Sequence, residues 1–213
     1  MPNVLIYGSS GYLGQVIFNH FEAKGWSTFS GTRDFERNNI PEKLDAVVWA
    51  QGANLLKPFF STTADDWQTI FNANVFFITN SLSFLFKKGA VREGARLIVI
   101  GSVWGVHSSK KNKSVYISSK AAVSGLTRAL ASDFSEYAVA VNCVAPGIIL
   151  SPMTKNNLSV NQIKSVEEKT PGNQLVVADN LAQIVFFLAS KDSIGINGQT
   201  IIVDNGWSIH NDL

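Results

Sequence analysis

The chain changes from one periodicity to another across three glycines near its start, and this transition constrains its fold more than any other feature. Residues 4–7 form a short apolar run, Gly8-Ser9-Ser10-Gly11-Tyr12-Leu13-Gly14 follows, and Leu13, Val16, Ile17, His20 and Phe21 then recur at helical spacing up to Gly25. The order is strand, glycine turn, helix. Without side chains at the glycines, the backbone can turn tightly, approach an anionic group and pack helix on strand, and the first N–H groups of the helix face that anion. A glycine turn with no ligand satisfies the same backbone, so corroboration has to come from farther along the chain.

The alternation continues. Strands are expected at residues 27–32, 46–50, 97–100, 139–144 and 200–203. Thr63-Ala64-Asp65-Asp66 reads as a capped helix start for a long apolar run over 67–86, with further helices over 115–134 and around Leu181, Ile184, Val185 and Leu188. The polar stretch 151–172 has room for a helix, and Pro146-Gly147 stops the strand before it. Parallel strands need crossover connections, so this order predicts an α/β fold: a Rossmann-like, doubly wound parallel sheet in three α/β/α layers, with residues 1–213 as a single domain.

Composition excludes several function classes. With 46% hydrophobic and 16% charged residues the chain is not of the disordered type, and a formal charge of +2 is too mild for nucleic-acid or membrane-surface binding. The basic run Lys110, Lys111 and Lys113 reads as a solvated loop, with an acidic partner as the alternative. The lone Cys143, within an apolar run, reads as a small buried hydrophobe. The chain enters a strand-like run without a secretion-signal pattern, and no later apolar run of spanning length lacks polar interruption, so a cytoplasmic protein is expected. No metal site is expected.

Thr32-Arg33-Asp34 stands about 20 residues beyond the glycine loop, where such folds read the cofactor ribose. Arg33 can pair with a 2′-phosphate and favours NADP(H); Asp34 in the same place would prefer the free 2′-hydroxyl, which keeps NAD(H) open. In Tyr116-Ile117-Ser118-Ser119-Lys120 a phenol and an ammonium lie four residues apart, on one face of a helix, a spacing suited to acid–base work and equally common in surface pairs. Ser102 follows the strand at 97–100 on the carboxyl side, where parallel sheets build their sites, and Asn74 is an amide inside an apolar helix that needs partners.

Together these features resemble the short-chain dehydrogenase/reductase family over essentially the whole chain. The resemblance rests on the glycine loop, Ala50-Gln51-Gly52-Ala53, Asn74, Ser102, Tyr116 with Lys120, Pro146-Gly147 and the segment 198–206. It implies an oxidoreductase that interconverts a carbonyl and an alcohol by hydride transfer with NADP(H). Tyr116 would be the general acid or base, Ser102 would orient the substrate oxygen, Lys120 would lower the tyrosine pKa and bind the nicotinamide ribose, and Asn74 would hold a relay water. Cofactor contacts are expected from Gly8, Ser10, Gly11, Tyr12, Leu13, Gly14, Arg33, Gln51, Gly52, Ala53, Tyr116, Lys120, Pro146, Gly147, Ile149 and Ser151. Trp104 and His107 are candidate walls of the substrate pocket, with packing and an exposed loop position as their alternatives. Relatives commonly assemble through their apolar helices, so a homodimer or homotetramer acting on a small molecule is expected.

Arg33 stands only 17 residues before Ala50, where the family fits a helix and a strand, so a shortened region and a reduced adenine pocket are expected. Selectivity should lie in residues 104–114 and 151–172. The glycine spacing and short interval also resemble dihydropteridine reductase, which admits pteridine reduction. The extended sugar-epimerase branch needs a substrate domain for which there is no room. A non-catalytic NADP(H) sensor is the alternative outside enzymes.

Overall fold

The computed structural model describes residues 1–35, 39–107 and 110–209. Positions 108 and 109 of the expected selectivity segment lie outside the described residues. Six strands, β1 (Asn3–Tyr7), β2 (Ser27–Gly31), β3 (Leu44–Trp49), β4 (Val91–Ile100), β5 (Ala140–Pro146) and β6 (Thr200–Val203), form one sheet in the order β2-β1-β3-β4-β5-β6, with every neighbouring pair parallel. The winding reverses between β1 and β3, and their carboxyl ends open the crevice in which folds of this kind bind ligands.

The strands are apolar on both sides because both faces are covered. Leu5, Tyr7, Val47, Trp49, Leu97 and Val99 pack on one face with Ile78, Leu82 and Leu85 of α3 (Phe77–Lys87) and Val123 of α4 (Ser114–Asp133). Their sequence neighbours Val4, Ile6, Ala46, Val48, Ile98 and Ile100 turn to the other face, against Ile17 and Phe21 of α1 (Tyr12–Ala23) and Leu181, Val185 and Leu188 of α7 (Ala178–Ala189). The period of two along each strand divides one apolar run between two cores.

The long helical run begins as expected. Thr63 and Asp66 form a capping box at the start of α2 (Ala64–Phe71), and a π-helical turn, Asn72–Phe76, joins it to α3. By length and mean hydropathy (1.3) the run Ala64–Lys87 is capable of crossing a membrane, but Ile78, Leu82 and Leu85 are buried against the sheet, as in a core helix.

Two segments depart from expectation. Residues 151–172 hold two helices, α5 (Pro152–Asn157) and α6 (Val160–Glu168), capped separately by Ser151 and by a Ser159–Gln162 capping box. Strand β4 starts at Val91, earlier than its apolar signal, because Arg92, Glu93 and Gly94 are exposed and carry no alternation. The shortened region behaves as expected: among the described residues no helix or strand falls between Gly31 and Leu44, and β2 ends the strand order on that side.

Candidate active site

The glycine loop is built by close approach. Gly8 adopts φ +81°, and a Cβ there would stand 2.6 Å from the Gln51 backbone nitrogen; one on Gly14 would stand 2.0 Å from the Gly8 carbonyl oxygen. Neither position tolerates a side chain without moving the loop. Gly11 precedes α1 with no side-chain cap, and no acidic residue occupies the first turn of that helix. The helix therefore presents its free N–H groups and the positive end of its dipole to the crevice, a setting suited to an anion such as a pyrophosphate.

Beside this loop lies a cleft of about 980 Å³, near the upper end of small-molecule pockets. Gly8, Ser10, Arg33, Gln51, Gly52 and Ala53 are among its walls, so the expected loop, strand-end and β3-end residues meet in one place. Arg33 lines the cleft and Asp34 does not. Ser9, Ser30, Thr69 and Asn72 are further polar walls that the sequence reading missed; the Ser9 hydroxyl donates to Ser30 Oγ at 2.9 Å, which ties the loop to β2. Tyr12, expected at the cofactor, is 46% exposed and lines neither this cleft nor the next: as the first residue of α1 it points outward.

A second cavity of about 210 Å³ shares Gln51, Gly52 and Ala53 with the first. Leu13, Ser102, Tyr116, Lys120, Pro146, Gly147 and Ile149 line it, so residues from β3, β4, α4 and β5 converge as the sequence reading required. Ser151 does not join them. Its hydroxyl accepts the Thr154 N–H and caps α5.

Within this cavity burial raises the Tyr116 pKa above its ordinary 10.0, outweighing the opposing influence of the Ser102 hydroxyl. This reverses the expected lowering by Lys120, whose buried ammonium donates to the Ile100 carbonyl oxygen at 2.8 Å. Burial also lowers Lys120 itself from 10.5 to about 8. In this arrangement Tyr116 holds its proton at neutral pH and can donate it to an oxygen placed beside Ser102.

Asn74, carried inward by the π turn, is buried and fully engaged. Its Oδ1 accepts the Ala53 N–H at 2.7 Å, and its Nδ2 donates to the Ala53 carbonyl at 2.9 Å and to Ser119 Oγ at 2.9 Å. A Cβ on Gly52 would lie 3.2 Å from Asn74 Oδ1 and 3.5 Å from Lys120 Nζ, so the amide and the ammonium flank the same spot. Asn74 is thus a clamp on the floor shared by both cavities.

Trp104 stands edge-on to Trp207 with ring centroids 5.2 Å apart, a partner from the segment after β6 that gave no sequence signal. His107 is an exposed loop residue. Cys143 is fully buried beneath Gly101, which agrees with the structural reading of that residue.

Comparison with known proteins adds independent findings. A family model described as enoyl-(acyl carrier protein) reductase matches residues 36–208. The chain is 31% identical over 177 residues to the hydroxynaphthalene reductase-like protein Arp2 of Metarhizium brunneum (strain ARSEF 3297). That alignment covers 76% of this chain and 65% of Arp2, so the chain spans just under two thirds of its relative's length. Its fold is similar to that of ElxO with NADP bound (TM-score 0.81, 22% identity, 97% of this chain and 98% of that one). It is similar also to 4-hydroxyisoleucine dehydrogenase complexed with NADH (TM-score 0.83, 16% identity, 97% and 98%).

Proposed function

Because this chain belongs to the short-chain dehydrogenase/reductase family, we propose that it is an NADP(H)-dependent oxidoreductase interconverting a carbonyl and an alcohol on a small molecule. The observation that carries the reading is the junction of the two cavities: the anion-ready glycine loop and Arg33 at one end, Ser102, Tyr116 and Lys120 at the other, with Gln51, Gly52 and Ala53 common to both.

A bound nicotinamide would supply or take up the hydride. The chain's own residues do the rest. Glycines 8, 11 and 14 and the α1 N-terminus hold the pyrophosphate, and Arg33 holds the ribose 2′-phosphate. Ser102 donates a hydrogen bond that orients the substrate oxygen, and Tyr116 gives that oxygen its proton in reduction and removes it in oxidation. Lys120, desolvated yet close to neutrality in its titration, holds the ribose and keeps positive charge near the phenol. Pro146, Gly147 and Ile149 form the opposite wall, and Asn74 keeps the floor in register.

The NADP carried by ElxO and the NADH carried by 4-hydroxyisoleucine dehydrogenase leave both cofactors available to the fold. The place of Arg33 in the cleft wall, without Asp34, favours NADP. A cytoplasmic homo-oligomer belongs to the same proposal, supported by the exposed apolar residues Phe59, Phe60 and Phe76 on and before the long helical run.

The test is a fluorescence titration with NADPH and NADH, repeated for Arg33→Ala, followed by turnover of a carbonyl panel by wild type and Tyr116→Phe. The expected result is an NADPH preference that collapses in Arg33→Ala, and turnover lowered about 10²–10⁴-fold in Tyr116→Phe with NADPH binding retained. NADH-biased binding indifferent to Arg33 refutes the phosphate contact. Cofactor binding with equal, negligible turnover in both proteins favours the non-catalytic sensor.

A further inference from the structure

By sequence Lys113 belongs with Lys110 and Lys111 to one basic loop, and the structure separates it from them. Lys110 and Lys111 are exposed, whereas Lys113, immediately before α4, is half-buried against Tyr116 and Asn54, two residues of the second cavity's wall. Its Nζ lies 4.9 Å from the Tyr116 ring centroid and 5.6 Å from that of Trp104, and 3.5 Å from Oδ1 of Asn54, a residue of the cavity wall. Trp207 closes the group edge-on to Trp104.

The charge balance at this spot is incomplete. Burial, and then the neighbouring charge of Lys110, lower the Lys113 pKa from its ordinary 10.5. Nearby Lys57, whose N–H donates to the Asn112 carbonyl of the same loop, is ion-paired with Asp66 at 2.6 Å. Among the described residues Lys113 has no such partner: the ion pairs are Lys57–Asp66, Arg92–Asp45 and Lys164–Glu168. Ring faces offset part of the cost of desolvating an ammonium, and the only side-chain acceptor it finds among the described residues is Asn54 Oδ1, at the long distance of 3.5 Å. A partly dehydrated cation of this kind, beside the phenol that handles the reacting oxygen, is complementary to an anion entering from the cavity.

We propose that Lys113 is an anion-recognition residue of the substrate pocket, and that the substrate is a flat carbonyl compound, or its alcohol, carrying a carboxylate. The carbonyl oxygen lies at Ser102 and Tyr116, the carboxylate pairs with Lys113 Nζ, and the body of the molecule rests against Trp104 and Trp207. This inference rests on the oxidoreductase reading above and adds the substrate class.

The test uses 4-acetylbenzoate and its neutral carboxamide as a matched pair, with the nicotinamide that the titration selects. Wild type is expected to favour the carboxylate in kcat/KM by roughly tenfold or more, mainly through KM. Lys113→Met is expected to abolish that preference and Lys113→Arg to keep it. An unchanged ratio in Lys113→Met overturns the proposal, as does an equal fall on both compounds with a shifted pH profile, which would make Lys113 a tuner of Tyr116. Direct binding of 4-acetylbenzoate, read by tryptophan fluorescence, separates this from the reading beneath it. Binding lost in Lys113→Met without turnover of either compound keeps the anion site and sinks the reaction. Absent binding, or binding equal in wild type and variant, overturns the anion site whatever the enzyme reduces.

Discussion

Replacing Asn74 by alanine tests whether the two cavities share a floor held by one side chain. The amide makes three hydrogen bonds, to the Ala53 N–H, the Ala53 carbonyl and Ser119 Oγ, from a position 1% exposed. Ser119 keeps its bond to the Tyr116 carbonyl, so the main loss falls on the two backbone groups of Ala53. A buried polar group left without its partner costs about 1–3 kcal/mol, and two of them, eased by some local relaxation, give about 3 kcal/mol. For a chain of this size that corresponds to a fall in Tm of roughly 6–12 °C, measured by calorimetry with urea unfolding as a second reading. NADPH affinity should fall with it, since Gly52 and Ala53 line both cavities. Asn74→Asp should not restore stability: it keeps an acceptor for Ala53, loses both donors and buries a carboxylate. A Tm within about 2 °C of wild type in Asn74→Ala would refute the clamp.

Lys120 should leave a signature in stability against pH. Its pKa is lowered from 10.5 to about 8, so from pH 8 upward the unfolded chain holds a proton that the folded chain has released, and stability rises with pH. Cys143 opposes this from pH 9, because its thiol is pushed from 9.0 up to about 11 and the unfolded thiol ionises first. Urea unfolding should therefore show a gain between pH 8 and 9 that Lys120→Met lacks, and Cys143→Ser should extend the gain toward 10.5; parallel curves for wild type and Lys120→Met would refute the assignment. The native Cys143 thiol should resist iodoacetamide at pH 8 and react fully in guanidinium, and rapid labelling of the folded chain would contradict its burial.

Most of the fold was legible because it follows from periodicity: the runs at residues 4–7 and 97–100 are apolar without alternation since both their faces are covered, and Thr63 with Asp66 announces a helix start. The Ser102, Tyr116 and Lys120 cluster was legible because strand ends and an i, i+4 pair fix where those side chains point. What escaped depends on contacts between distant segments. Trp207 meets Trp104 only after β6 has been placed, and Lys113 looks like its exposed neighbours until the rings of Trp104 and Tyr116 surround it. The direction of the Tyr116 shift escaped too, because burial, not the spacing to Lys120, governs it. Ser9 sits inside the glycine loop, and its bond to Ser30 needs the β1–β2 pairing to appear.

The π turn at Asn72–Phe76 bears on how this chain can change length. In that turn the Phe77 N–H reaches back to the Asn72 carbonyl, five residues away, so the helix carries one residue more than an α-helical path would need. A single-codon deletion there need not break the helix; it would close it into continuous α geometry. The faces on either side would keep nearly their present phase, because the wide turn is what absorbs the extra residue; a deletion in the α-helical flanks would instead rotate one side against the other by about 100°. There, either Asn74 would leave Ala53, or Ile78, Leu82 and Leu85 would leave the sheet. In-frame deletion scanning of this helix should therefore spare solubility best within the π turn, whose extra residue is slack between a packing face and a polar one.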